Sequence, residues 1–227
     1  MEQINWAEIK AIVFDMDGVM IDSERLVLES WKKVGTRYEL DDVASVFPEC
    51  IGRSVADTHK VFIKKYGESF PYEEFREDTQ KAFNELEDEG KLNPKPGVYE
   101  ILDFFQKKGF KLALVSSTRM DKIEEILSKL GLLSPFDFVI SGDNVKESKP
   151  NPEIYLKACE GIKCNPKYCV AIEDSYHGIH SAHNAGMYSI MIPDLKEAND
   201  DMRNTASEIL NSLGELQKEI EVSIKSK

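Results

Sequence analysis

The chain has 227 residues, 41% of them hydrophobic, and its 41 acidic against 29 basic side chains leave a net charge of −12. That apolar content supports a folded core and excludes intrinsic disorder, while 13 Gly and 9 Pro exclude a collagen-like or linker sequence. The negative field opposes a nucleic-acid backbone, and no apolar run approaches the roughly 20 residues of a membrane span. Residues 1–10 carry no secretory pattern, so a cytoplasmic protein without nucleic-acid or membrane partners is expected.

In chain order, residues 11–14 form the first apolar run of strand length, ending in Asp15-Met16-Asp17-Gly18. Helical periodicity follows for nearly a hundred residues: Val27, Leu28, Trp31 and Val34; Val55, Phe62, Ile63 and Tyr66; Phe75, Thr79, Ala82, Phe83 and Leu86. No strand interrupts it, which predicts a helical module inserted into a sheet domain, with one hinge just after Asp22. Asn93-Pro94-Lys95-Pro96-Gly97 breaks the pattern and marks the return. The acidic run 85–89 reads as a solvated helix end.

Beyond the breaker, residues 98–105 have helical spacing, 112–115 strand character, and 122–130 a helix stopped by Gly131. Further strands are predicted at 136–140, 169–172 and 189–192, and from Lys196 onward a charged helix packing through Ile209, Leu210, Leu213 and Leu216. Strands alternating with helices predict an α/β fold: a doubly wound, Rossmann-like parallel sheet core with an inserted α-helical cap. The expected division is 1–22 with 95–227 for the core and 23–94 for the cap. No exposed apolar stripe demands an obligate partner, so a monomer is expected.

In an open parallel sheet, ligands bind where the carboxyl ends of strands give way to loops. Asp15 and Asp17 lie at such an end, and two adjacent carboxylates stay ionised most easily beside a cation. Ser116-Ser117-Thr118 follows the second strand, offering hydroxyls and backbone N–H groups to phosphate oxygens, or a helix N-cap. Lys149 stands before Pro150 where helix is disfavoured, and Glu173-Asp174 ends another strand.

Each of these positions has a plain alternative, an acidic turn, a cap or a surface charge, but their order at successive strand ends is specific. Asp15-Met16-Asp17-Gly18-Val19 with Asp22-Ser23, then Ser116, Lys149 and Glu173-Asp174, resembles the four motifs of the haloacid dehalogenase-like superfamily. The stretch from Glu173 through Gly178-Ile179, Ser181-Ala182 and Ala185-Gly186-Met187 is similar to the branch containing β-phosphoglucomutase, phosphoglycolate phosphatase and sugar-phosphate phosphatases. The resemblance implies an Mg²⁺-dependent phosphatase acting on a small phosphorylated metabolite through an aspartyl-phosphate. Asp15 would be the nucleophile and Asp17 the general acid and base. Asp15, Asp174 and the backbone carbonyl of Asp17 would hold the metal, with Glu173 behind that shell. Ser116, Ser117 and Lys149 would bind the phosphoryl group, and Lys149 would also offset the repulsion between Asp15 and Asp174. Arg53, in the cap turn Gly52-Arg53-Ser54, would contact the non-reacting part of the substrate.

Two other functions compete. A β-phosphoglucomutase-type mutase needs cap residues to hold a second phosphate, and Val27, Val55 and Ala82 stand where the resemblance would place them. A phosphate-binding or receiver-like regulatory protein also arrays an acceptor Asp, carboxylates and a Lys at strand ends. It has neither an inserted cap nor an Asp two residues past the acceptor. Among the remaining residues, the four cysteines have no Cys-x-x-Cys spacing and read as reduced thiols. His177, His180 and His183 recur every third residue, a spacing that drifts around a helix rather than forming a metal face. His59 and Trp31 read as structural cap residues.

Overall fold

The structure is a computed structural model that describes residues 4–40, 42–51 and 55–225. In chain order its elements are β1 (Ala11–Asp15), α1 (Ser23–Gly35), α2 (Val43–Cys50), α3 (Val55–Tyr66), α4 (Tyr72–Asp88), α5 (Val98–Lys107) and β2 (Lys111–Ser116). Then come α6 (Met120–Lys129), β3 (Phe138–Ser141), α7 (Glu153–Gly161), β4 (Cys169–Glu173), α8 (Tyr176–Asn184), β5 (Tyr188–Met191), α9 (Asp200–Thr205), β6 (Glu208–Ile209) and α10 (Leu213–Lys225). They divide into two compact units, residues 22–93 and residues 1–21 with 94–227.

The larger unit is a six-stranded sheet in the order β3-β2-β1-β4-β5-β6, every neighbouring pair parallel. All five residues of β1 are buried, as a strand covered on both faces must be. Side chains alternate between the faces. Ala11 and Val13 join Ala113, Val115 and Ala171 against Ile154, Tyr155 and Ala158 of α7 and Ala182 of α8. On the opposite face Phe14 meets the edge of Phe105 from α5, ring centroids 6.0 Å apart. The sheet is therefore doubly wound and Rossmann-like.

The region after Lys196 departs from the single helix predicted there. It holds α9, the two-residue strand β6 and α10, and Ile209 pairs with Met191 in the sheet. Two residues are too few to show alternation, so the edge strand is invisible in the pattern. The four cysteines are free thiols; Cys159 and Cys169 lie in the core with sulfurs 3.6 Å apart.

The smaller unit is all helix, α1 to α4, built around an aromatic cluster. Phe62 is fully buried and its ring lies within 5.1–5.6 Å of Trp31, Tyr66, Phe70, Tyr72 and Phe75. Trp31 meets Phe47, Phe62 and Phe75 edge-on, and His59 stacks on Tyr72 at 4.6 Å. Within the acidic run 85–89, Leu86 and Glu87 are buried, so that run is not simply a solvated end. Residues 52–54, Arg53 among them, lie outside the described residues.

Candidate active site

Strand order decides which residues meet. β1 runs between β2 and β4, so the end of β1 lies beside the ends of both neighbours. Asp15 is the last residue of β1, Ser116 the last of β2 and Glu173 the last of β4. Lys149 comes from the segment between β3 and α7 and enters the same rim.

There the Lys149 ammonium donates to Asp15 Oδ1 at 2.5 Å and to Glu173 Oε1 at 2.6 Å. The carboxylates it bridges are thus Asp15 and Glu173. The Lys149 and Asp15 side chains are each 9% exposed and Glu173 is fully buried. Tyr155, also fully buried, donates its hydroxyl to Glu173 Oε1 at 2.9 Å. Glu173 Oε2 accepts from the backbone N–H groups of Asp174 and Ser175 and from the Ser175 hydroxyl. That hydroxyl also caps α8 by accepting from Gly178 N at 3.0 Å.

Two glycines let this cluster close. Gly18 has φ +78°, and a Cβ there would come 2.1 Å from Asp174 Oδ2. A Cβ on Gly178 would come 1.8 Å from Glu173 Oε1, so the first turn of α8 packs directly on that carboxylate. Neither position accepts a larger side chain without moving an acid.

Asp17, half-buried, faces the end of β2: the hydroxyls of Ser116 and Thr118 donate to its Oδ2 at 3.2 and 3.3 Å. Ser116 Oγ in turn accepts from Thr118 N at 3.0 Å, fixing the loop. Ser117 is exposed, and its carbonyl lies against Gly142. Asp15, Asp17, Ser116, Lys149, Glu173 and Asp174 thus share one rim. His177 and His183 are exposed and His180 pairs with Asp201 at 2.8 Å, so the three histidines converge on no common point.

Oxygens of Asp15, Glu173 and Asp174 lie within 4.8 Å of one another, all three residues buried. Three carboxylates against one ammonium leave an excess of negative charge where water screens little. Burial first, and then the Glu173 carboxylate, push the Asp15 carboxyl well above its ordinary range, with Lys149 pulling the other way. Burial alone would lower the Lys149 ammonium, but Asp15 and Glu173 together hold it above its ordinary value. Added positive charge would favour the ionised form of a carboxyl so placed, and a hard divalent cation with oxygen ligands fits that requirement. Asp15, Glu173 and Asp174 are the side chains close enough to one another to hold it.

Tyr155 and Ser175 are additions to the set read from the sequence; Thr118, read there as offering a hydroxyl to phosphate or a helix cap, donates to Asp17. Ser175 had a detectable signal, an N-cap serine three residues before Gly178 in a helical stretch. Tyr155 had none, since an aromatic residue in a helix reads as core.

A doubly wound parallel sheet whose rim gathers carboxylates around a buried lysine, with a helical module after the first strand, defines the class: a Rossmann-like α/β protein with its candidate site at the carboxyl ends of the strands. Residues 12–192 match the family model of haloacid dehalogenase-like hydrolases, and the chain belongs to that family. It is 33% identical over 186 residues to the phosphorylated carbohydrates phosphatase of Thermotoga maritima, covering 80% of this chain and 84% of that protein. Hexitol phosphatase B of Escherichia coli K12 is 30% identical over 220 residues, covering 92% and 95%. A haloacid dehalogenase family hydrolase of Deinococcus radiodurans, solved with phosphate and sodium, shares the fold with TM-score 0.81 at 23% identity, covering 96% and 97% of the two chains.

Proposed function

We propose that the chain is a magnesium-dependent phosphatase that hydrolyses a small phosphate monoester, of the sugar-phosphate class, through an aspartyl-phosphate on Asp15. The observation that carries this reading is the buried Lys149–Asp15 pair at 2.5 Å with Asp17 two residues along, its carboxylate held by Ser116 and Thr118. The names of the Thermotoga and Escherichia relatives support the substrate class.

When bound, the magnesium ion would neutralise charge on the phosphoryl oxygens and on the Asp15 carboxylate. Asp15 attacks phosphorus as its bond to the ester oxygen breaks, and Asp17 gives its proton to the departing alkoxide. Asp17, now a carboxylate, takes a proton from water as that water attacks the phosphorus of the phosphorylated Asp15. Phosphate leaves and Asp15 is restored. Lys149 and Ser116, with the backbone beside Gly18 and Ser117, hold the transferring group, and Lys149 keeps Asp15 oriented and ionised. Two hydroxyls on Asp17 fix the direction from which the proton arrives.

The mutase alternative finds no support in the cap positions it depends on. Ala82 is buried in the helical unit and Val55 is an exposed aliphatic side chain, so neither supplies a phosphate-binding cation. Arg53 is proposed as the contact to the non-reacting part of the substrate, an assignment that Arg53→Ala would test through KM.

The test is phosphate release from a panel of sugar phosphates, phosphoglycolate and nucleoside monophosphates, with and without Mg²⁺. Asp15→Asn is expected to abolish phospho-enzyme formation, and Asp17→Asn to cut turnover by about 10²–10⁴-fold, with phospho-enzyme accumulating if its hydrolysis is the slower step. Full turnover by Asp15→Asn overturns the nucleophile. Conversion of β-glucose 1-phosphate to glucose 6-phosphate without net phosphate release would favour the mutase.

A further inference from the structure

By distance alone Glu173 qualifies as a third side chain on the cation, because its oxygen lies within 4.8 Å of those of Asp15 and Asp174. Its hydrogen bonds say otherwise. An ionised carboxylate offers about four lone-pair sites, and on Glu173 five donors compete for them. Oε1 takes Lys149 at 2.6 Å and Tyr155 at 2.9 Å. Oε2 takes Asp174 N at 3.1 Å, Ser175 N at 3.2 Å and Ser175 Oγ at 3.0 Å. The α8 turn at Gly178 then wedges the group in place.

A cation reaching Oε1 must displace one of its two donors. Lys149 is held by charge from both Asp15 and Glu173, whereas Tyr155 contributes a single neutral hydroxyl. The same tyrosine also carries the Lys149 ammonium over its ring, 5.3 Å from the centroid. One side chain therefore touches both partners of the ion pair.

We propose that Tyr155 is a positioning residue: its hydroxyl completes the hydrogen bonding of Glu173, commits that carboxylate to Lys149, and leaves Asp15 and Asp174 as the side chains available to the cation. This rests on the phosphatase reading only for the presence of a divalent cation. The general consequence is that a residue outside the ligand set decides how many carboxylates the metal meets.

Tyr155→Phe keeps the ring, its volume and its contact with Lys149 and deletes only the hydroxyl. Calorimetric titration with Mg²⁺ alone, without substrate, compares wild type, Y155F, E173Q and the double variant, with circular dichroism confirming the fold of each. With Oε1 released, Y155F is expected to bind Mg²⁺ more tightly by about three- to tenfold, less than the roughly 10–100-fold by which outer-shell partners of metal ligands change affinity. In the E173Q background the same substitution should change the dissociation constant by less than about twofold, because Tyr155 acts through Glu173. Unchanged or weaker binding by Y155F, or an equal gain in the E173Q background, overturns the assignment. Where wild type binds Mg²⁺ and releases phosphate from p-nitrophenyl phosphate, such a result sinks only the role of Tyr155. A wild type that does neither sinks the functional reading along with it.

Discussion

Two ion pairs of nearly equal length, one at the sheet rim and one in the helical unit, have opposite consequences. Lys149 meets Asp15 at 2.5 Å with both side chains 9% exposed; Lys33 meets Glu85 at 2.7 Å with side chains 47% and 62% exposed. In water the second pair is screened, and holding two long side chains together offsets most of its attraction. At the rim screening is weak, so each charge strongly shifts the protonation of its neighbours and removing one strands the other. Short distance alone therefore says little about the strength of a contact; burial decides how strongly the charges feel one another. The helical unit has its own buried feature, but it is apolar: the ring cluster around Phe62.

The sharpest way to break this contrast is to remove the buried cation. Lys149→Met is expected to abolish turnover and to lower stability by about 3–5 kcal/mol, as the uncompensated Asp15 and Glu173 carboxylates remain inside; chemical denaturation measures the second effect. A smaller loss would mean that the rim is wetter than its burial indicates.

Next in size is a change in the helical unit. Phe62→Ala should cost about 3–5 kcal/mol through the cavity it opens among five rings, read as a lower denaturation midpoint. Mg²⁺ binding by the folded variant should match wild type, since the carboxylates that would hold the ion all belong to the sheet unit. Altered metal affinity in that variant would show that the two regions are energetically coupled.

The smallest effect belongs to the exposed pair. Lys33→Ala should leave the melting temperature and turnover within experimental error at physiological salt. A clear drop in melting temperature would show that the pair is less screened than its exposure implies.

Much of this molecule can be read along the chain because the relevant signals are local. An apolar run of four or five residues followed by polar ones marks both a strand and the rim at its end, which is how Asp15, Ser116 and Glu173-Asp174 declare themselves. The inserted helices show in their periodicity, and Asn93-Pro94 in its stiffness. β6 escaped because two residues carry no period, and its Ile209 fits a helical stripe equally well. Glu87 escaped because an acid among acids looks solvated until its helix is packed. The pairing of Lys149 with Glu173, and the hydroxyl that Tyr155 brings to it, left no trace in composition or spacing.

What the amino-acid order determined by itself was therefore the class of fold and the identity of the acids and lysine at the strand ends, since both rest on patterns a few residues long. Only the tertiary structure decided which of them touch. Parallel pairing of β1 between β2 and β4 sets Asp15 beside Ser116 and Glu173, and the segment after β3 adds Lys149, 134 positions from Asp15; that order depends on the packing of both sheet faces at once. The same packing settles how the donors are shared: one ammonium between two carboxylates, and one buried hydroxyl on Glu173. Burial is a property of the assembled core, and no local segment carries it.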